Sequence, residues 1–325
     1  MGYTPKTYRD KGGNRQNIAD GGEFWLHPGA EMQLDGAVLG ATISQSYYVD
    51  RLSGDDDNDG KSWSRAFATM AAAFAVVDNN GKIFLRGRVV ENLTTPAKRE
   101  VTIIGVGNTP RAGGAEWRSA THPAGESPLT VTAQGWRVVN IMFRGTTAAP
   151  AISLVYDADT KWPNRFSAIA CEFQGGMGGI WDTGGTDGVQ IIDCEFRNMA
   201  EEDDDSYAIK SVDTAIALPL WWTIQGCNFV DNKNHVSLDA SSALIKDCVF
   251  ANKGHSITTV TKIDLSGPGG QGKDNIVTKC FLGGDYRTDN DEYVSGTNDQ
   301  WVGNYVETVD GVEKDSGVWN LVPTT

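Results

Sequence analysis

The chain has 325 residues, 42 of them acidic and 28 basic, for a formal net charge of −14. A surface of that sign repels phosphate backbones and anionic lipid, which excludes nucleic acid and membrane surfaces as partners. No stretch approaches the ~18 apolar residues of a membrane span, and no apolar signal region follows Met1, so a conventional secretory route is not expected.

Residues 1–45 consist of short apolar-polar alternations broken by glycine, with Phe24, Trp25, Leu26 and Leu34 as prominent apolar positions. Strands this short need partners. The segment is therefore expected to be an attachment or oligomerisation piece whose contacts are Phe24, Trp25, Leu26 and Leu34. Its polar start (Lys6, Arg9, Lys11, Arg15) suits a disordered leader equally well.

Tyr47–Asp50 reads as a strand, and Gly54–Gly60 as a loop. There Asp55, Asp57 and Asp59, followed by Gly60, reproduce the first half of a calcium loop, because alternate carboxylates can turn onto one hard cation. The position for a closing bidentate glutamate holds Ala66, so the motif is half complete, and a solvated acidic turn before a helix accounts for the same residues. Calcium is the one cofactor expected, with Asp55, Asp57 and Asp59 as its first candidate and the adjacent carboxylates Glu201–Asp205 as the second; otherwise no cofactor is expected. After Ser62 as a cap, Trp63, Phe67, Met70, Phe74 and Val77 recur every three or four residues and predict one amphipathic helix, ended by Asp78–Gly81.

Strands resume at Ile83–Leu85 and Val101–Ile104, and then one pattern repeats. Val138–Phe143, Ile169–Phe173, Ile192–Phe196, Ile224–Phe229, Ile245–Phe250 and Val277–Phe281 are half-buried strand stretches, five of them centred on a cysteine. Between positions 141, 171, 194, 227, 248 and 280 the steps are 30, 23, 33, 21 and 32 residues. A repeat of this size is one coil of a solenoid, which buries its apolar side only by stacking on its neighbours. The 5 cysteines then form a column of reduced core thiols. They lack metal-ligand spacing, and they suggest folding in a reducing compartment. The helix would cap one end of the stack, and residues 286–325, which leave the pattern, would cover the other.

Tyr48–Asp50, Gly54–Asp56, Asn58–Gly60, Ser62 and Ala66–Thr69 resemble the opening of right-handed parallel β-helix proteins, a family that includes pectate-lyase-like enzymes and phage tailspikes. The Cys-x-Phe copies resemble its coils. The resemblance implies an all-β fold: a right-handed single-stranded parallel β-helix over residues 46–285, with an N-terminal capping helix and a short strand-forming N-terminal attachment segment (1–45). Tyr8–Gly13 and Gly21–Phe24 resemble the start of virion proteins of tailed bacteriophages.

For chemistry, Asp182, Asp187, Asp213 and Asp239, with Lys210 and Arg197, could line one side of the coils, though in no repeated register. Glu201–Asp205 reads as a solvated loop tip. Alternation forces one of Trp221 and Trp222 inward; the outward one is expected at a subunit interface rather than on a sugar. His27, His122, His235 and His255 are scattered. The expectation is a structural virion protein without catalytic residues: a homotrimeric capsid decoration or head fibre, assembled in the host cytoplasm, bound to the major capsid protein and touching host glycan. The alternatives are a tailspike-type polysaccharide depolymerase, either a glycosidase, which would need two carboxylates ~5 to 9.5 Å apart, or a lyase, which would need a base next to a metal-neutralised uronate, and a secreted carbohydrate-binding β-helix.

Overall fold

The computed structural model describes residues 7–9, 16–18, 32–34 and 37–39, and all of 45–306 except 108–113, 122–124, 158–161, 200–205, 213–218, 252–260, 267–271 and 284–292. The chain divides into two units, residues 1–44 and 45–325. In the first, Thr7–Arg9 pairs antiparallel with Gln16–Ile18, and Met32–Leu34 with Ala37–Leu39, so that Leu34 faces Ala37 across a ladder. Phe24, Trp25 and Leu26 lie outside the described residues.

The second unit is a right-handed parallel β-helix. Each coil contributes one strand to each of three parallel sheets, of 10, 9 and 8 strands, called I, II and III in coil order. One coil runs Ser167–Ile169 (I), Glu172–Gln174 (II) and Gly178–Asp182 (III). The next runs Gln190–Ile192, Glu195–Arg197 and Tyr207–Ser211. The two stack in strict register, with Ala168 on Ile191, Phe173 on Phe196 and Ile180 on Ile209.

That register turns sequence repeats into columns. Val138, Ala168, Ile191, Ile224, Ile245 and Val277 fill the inner side of sheet I. On sheet II the rings of Phe173, Phe196, Phe229 and Phe250 stack at centroid spacings of 4.7, 5.0 and 4.7 Å, nearly parallel. Full burial contributes about 1.5–3 kcal/mol per side chain, and ring stacking about 0.5–1.5 kcal/mol more.

The chain turns between sheets I and II through one left-handed residue: Asn140, Ala170, Asp193, Gly226, Asp247 or Lys279, each with φ between 51° and 65°. The cysteines follow at this corner. All five are buried and free. Each thiol donates to the carbonyl two residues back at 3.2–3.4 Å. Burial pushes the Cys194 thiol well above its ordinary value, so it stays protonated. In the last described coil Asn304 takes the cysteine seat. Its Oδ1 accepts the Cys280 N–H, and its Nδ2 donates to the Val277 carbonyl, both at 3.0 Å.

Two expectations change. The helix begins later than its apolar spacing predicted. Trp63–Arg65 is a single 3-10 turn, Phe67 is extended and bridges Val49, and helix α1 spans Met70–Val76. Phe67 is drawn out because its ring covers Gly60, where a Cβ would stand 2.2 Å from it. Ser62 makes no side-chain cap; Thr69 caps instead, its hydroxyl accepting Ala72 N–H at 3.2 Å. Phe74 of α1 closes the end of the stack against Trp117 and Trp136, at 6.1 and 5.3 Å. At the far end, coils continue beyond 285. Tyr293–Val294, Gln300–Val302 and Tyr305–Val306 add strands to sheets III, I and II, because Trp301 extends the inner column above Val277. Residues 307–325 lie outside the described residues.

Candidate functional site

On sheet III the isoleucines at 152, 180 and 209 point inward, so their C-terminal neighbours point out. This places Ser153, Trp181, Lys210, Ser237 and Asp264 in one outward column across five coils. Tyr207 stands beside it, in register with Gly178.

Gly178 has a specific task. A Cβ there would lie 2.2 Å from Trp181 Nε1, so only glycine lets the indole lie against the sheet. In that pose Nε1 donates to the Tyr207 carbonyl at 2.8 Å. The Lys210 ammonium lies 5.2 Å from the Trp181 ring centroid and 5.3 Å from that of Tyr207. One coil before Trp181, Ser153 and Ser127 pair their hydroxyls at 2.7 Å. At the other end Asp264 accepts from Ser266 N–H and Oγ, at 2.9 and 2.6 Å. Between them the Ser237 hydroxyl is buried with no hydrogen-bond partner among the described residues. Ser237 is thus covered, and the half-buried groups of the face are the Trp181 ring with Tyr207 beside it, the Lys210 cation, the Ser153 hydroxyl and the Asp264 carboxylate. Aromatic faces attract both the C–H sides of sugar rings and cations.

The residues singled out from sequence do not share one side. Asp182 falls in the inward column with Leu154 and Ser211 and is fully buried. Burial pushes its carboxyl up to about 6, although Thr186 and Gly184 donate three hydrogen bonds to it. Asp187 is also raised by burial and accepts Leu220 N–H at 3.0 Å, which ties one connection to the next. Asp239 is buried, Asp213 is outside the described residues, and Arg197 belongs to sheet II. Only Lys210 joins the line. Glu201–Asp205 also lies outside the described residues. Trp222 is the inward tryptophan and Trp221 the outward one, 64% exposed.

Asp55, Asp57 and Asp59 are not gathered as a cation site. Asp55 accepts Asp57 N–H at 3.0 Å, and Asp59 pairs with Arg65 at 2.6 Å. Their neighbour Asp56 binds Ala68 N–H, Thr69 N–H and Thr69 Oγ1, which fixes the start of α1. Among the described residues no group of three or more His, Cys, Asp or Glu could hold a metal.

Sequence comparison matches the chain to no family model and to no curated protein. Its fold is similar to that of a lacto-N-biosidase from Eubacterium ramulus, at 11% identity and a TM-score of 0.56, covering 81% of this chain and 56% of that one. It is also similar to a rhamnogalacturonan lyase, at 15% identity and a TM-score of 0.53, covering 80% and 73% of the two chains. A third similar structure is alginate lyase from Paenibacillus sp. str. FPU-7, at 14% identity and a TM-score of 0.52, covering 74% and 84%. The chain therefore spans little more than half of the biosidase. At these identities the likeness establishes the parallel β-helix and nothing finer. The expectation of a chain that is no enzyme is corrected by this comparison, since the solved β-helices it resembles are a biosidase and two lyases.

Proposed function

We propose that this chain is a polysaccharide depolymerase whose glycan lies along the outer face of sheet III. The observation that carries the reading is the flat Trp181 indole over Gly178, beside Tyr207 and Lys210. A sugar ring stacks on the half-buried Trp181 ring, and the Lys210 ammonium faces an acidic or hydroxyl-rich substituent. Successive rungs ~4.8 Å apart present further polar groups along the chain. Sheet strands hold these side chains more rigidly than loops would, which lowers the ordering cost of binding.

A two-carboxylate hydrolase is less well served here, since Asp264 is the one carboxylate in the outward column. Elimination from a uronate suits the face better. In that reaction a base takes the proton beside the sugar carboxylate, a carbon–carbon double bond forms as the bond to the leaving oxygen breaks, and that oxygen takes a proton from water to become the new hydroxyl end. As part of the same reading we place the protein on a phage particle, on the resemblance of Tyr8–Gly13 and Gly21–Phe24 to the start of tailed-phage virion proteins, and take it as a homotrimer on the resemblance of its coils to tailspikes, not on any residue pattern. Contact with the major capsid protein through residues 1–45 belongs to it.

The test is incubation of the intact protein with neutral and uronate polysaccharides, following reducing ends and unsaturated-uronate absorbance. Turnover of at least one glycan is expected. Trp181→Ala is expected to lower kcat/KM roughly thirtyfold, the ~2 kcal/mol of a central aromatic anchor. Absence of turnover, or a Trp181→Ala protein as active as the parent, would overturn the reading. Particle fractionation checks the phage assignment, because a virion component must co-purify with intact particles.

A further inference from the structure

We propose that the outer face of sheet II carries an oxyanion-binding site, built by Arg88, Arg118 and Arg144 around Glu116, which takes a carboxylate or sulfate group of a glycan. The site is separate from the sheet III face.

These residues come from three successive coils. Glu116 pairs across the sheet with Arg88 on one side, and Arg118 pairs with Arg144 on the other. Arg88 Nε donates to Glu116 Oε2 at 2.7 Å, Arg144 Nε to Oε1 at 2.9 Å, and Arg118 Nε also to Oε1. Burial alone would push Glu116 up, yet the Arg118 and Arg88 guanidiniums hold it below the usual carboxylate range. One guanidinium would suffice to neutralise one carboxylate. Three leave a local surplus of two positive charges, on a chain whose net charge is −14.

In each arginine the Nε–H is the group spent on Glu116. The planar forks are thereby fixed, and among the described residues only their Nε groups are engaged, which leaves the Nη groups for a ligand. Guanidinium forks match carboxylate and sulfate oxygens in bidentate fashion. Arg118 and Arg144 occupy the same register one rung apart, ~4.8 Å, so they can grip one oxyanion together or face neighbouring sugars of an extended acidic chain. The surplus is confined. Met142 stands between Glu116 and Glu172, and on the rung after Arg144 the strand that carries Gln174 also carries Glu172, which with Glu195 of the following rung shares Arg197 and returns the face to negative charge. A polyphosphate backbone needs many such contacts, and the rest of the surface repels it. One or two oxyanions of a glycan do not. The glycan identity of the ligand rests on the reading above; the oxyanion chemistry does not.

Calorimetric titration of the intact protein at low ionic strength provides the test, with inorganic sulfate, oligogalacturonate and a neutral oligoglucoside as probes. Sulfate and oligogalacturonate are expected to bind with an affinity that falls as salt rises, and the neutral sugar not to displace sulfate. Arg88→Gln removes the most exposed of the three arginines (56%) and leaves Glu116 held by the other two, so the fold is retained. It is expected to weaken sulfate binding about tenfold, as expected for charge-assisted hydrogen bonds. Glu116→Gln removes the one negative charge among the three guanidiniums while its amide oxygen can still accept from them, and should tighten binding. Trp181→Ala, on the other face, should leave it unchanged. No saturable sulfate binding, or Arg88→Gln and Glu116→Gln variants that both bind like the parent, would overturn the site. Sulfate binding without turnover of any glycan would sink the depolymerase reading and leave this site standing; turnover without sulfate binding would do the reverse.

Discussion

Replacing Phe196 by alanine is expected to lower the unfolding free energy by about 3–5 kcal/mol, the usual cost of deleting a fully packed ring. The ring has no exposed surface and stacks within 6° of parallel on both Phe173 and Phe229. It cannot be replaced by collapse. A Cβ built on Gly179 would already stand 2.7 Å from it, so the glycine and the ring share one tightly filled space. The neighbours on either rung are fixed by sheet hydrogen bonds and cannot close the gap. A domain has only about 5–15 kcal/mol to lose, so the variant should unfold at markedly lower urea concentration with an unchanged slope. A loss below about 1 kcal/mol would show that the phenylalanine column does not carry the stack.

The second large effect concerns pH. His235 lies inside the core, 5.8 Å from the Phe229 ring and 5.9 Å from that of Phe250, with Nδ1 against Asn232 Nδ2 at 3.2 Å. Burial, and then the Lys262 charge on the next rung, depress it from 6.5 to about 3. A depressed histidine is neutral in the fold, while the unfolded chain takes up the proton below 6.5. Its contribution is therefore complete above about pH 6.5 and is lost as pH falls towards 3, at roughly 1.4 kcal/mol per unit. Asp182 works in the opposite sense. Its carboxyl is raised to about 6, so its contribution is present below the ordinary 3.8 and lost as pH rises through 6. In the intact protein the two slopes largely cancel.

His235→Phe separates them. The difference in unfolding free energy between variant and parent removes every group they share. It should grow in favour of the variant by about 3 kcal/mol between pH 7 and pH 4. Asn232 keeps a partner in the variant, because its Nδ2 also donates to the Phe196 carbonyl at 3.0 Å. A difference that stays flat over this range would rule out a neutral buried imidazole.

How much of this was legible in the sequence depends on whether a feature repeats within one strand or only across coils. The cysteine and phenylalanine columns repeat at one place in a run of successive coils, so the stack and its thiol corner could be read directly. The sheet III line could not. Trp181 and Lys210 are brought together only by the register of two strands whose connections differ in length, and the space for the indole depends on a glycine three residues earlier. Arg88, Glu116, Arg118 and Arg144 are likewise scattered in sequence and adjacent only across rungs. One signal was available and unused: counting alternation from Ile180 places Asp182 inside with Leu154, not on a catalytic surface. The helix start was obscured because Phe67 keeps helical spacing while serving a strand bridge.

The buried sulfurs have a practical corollary. With five free thiols sealed along one corner and no disulfide to break, the protein is indifferent to reductant while folded. Each cysteine becomes a target for a colorimetric thiol reagent only when its own turn of the stack opens. The molecule thus holds a set of internal markers, spaced from Cys171 to Cys280, that report where along its length fraying begins.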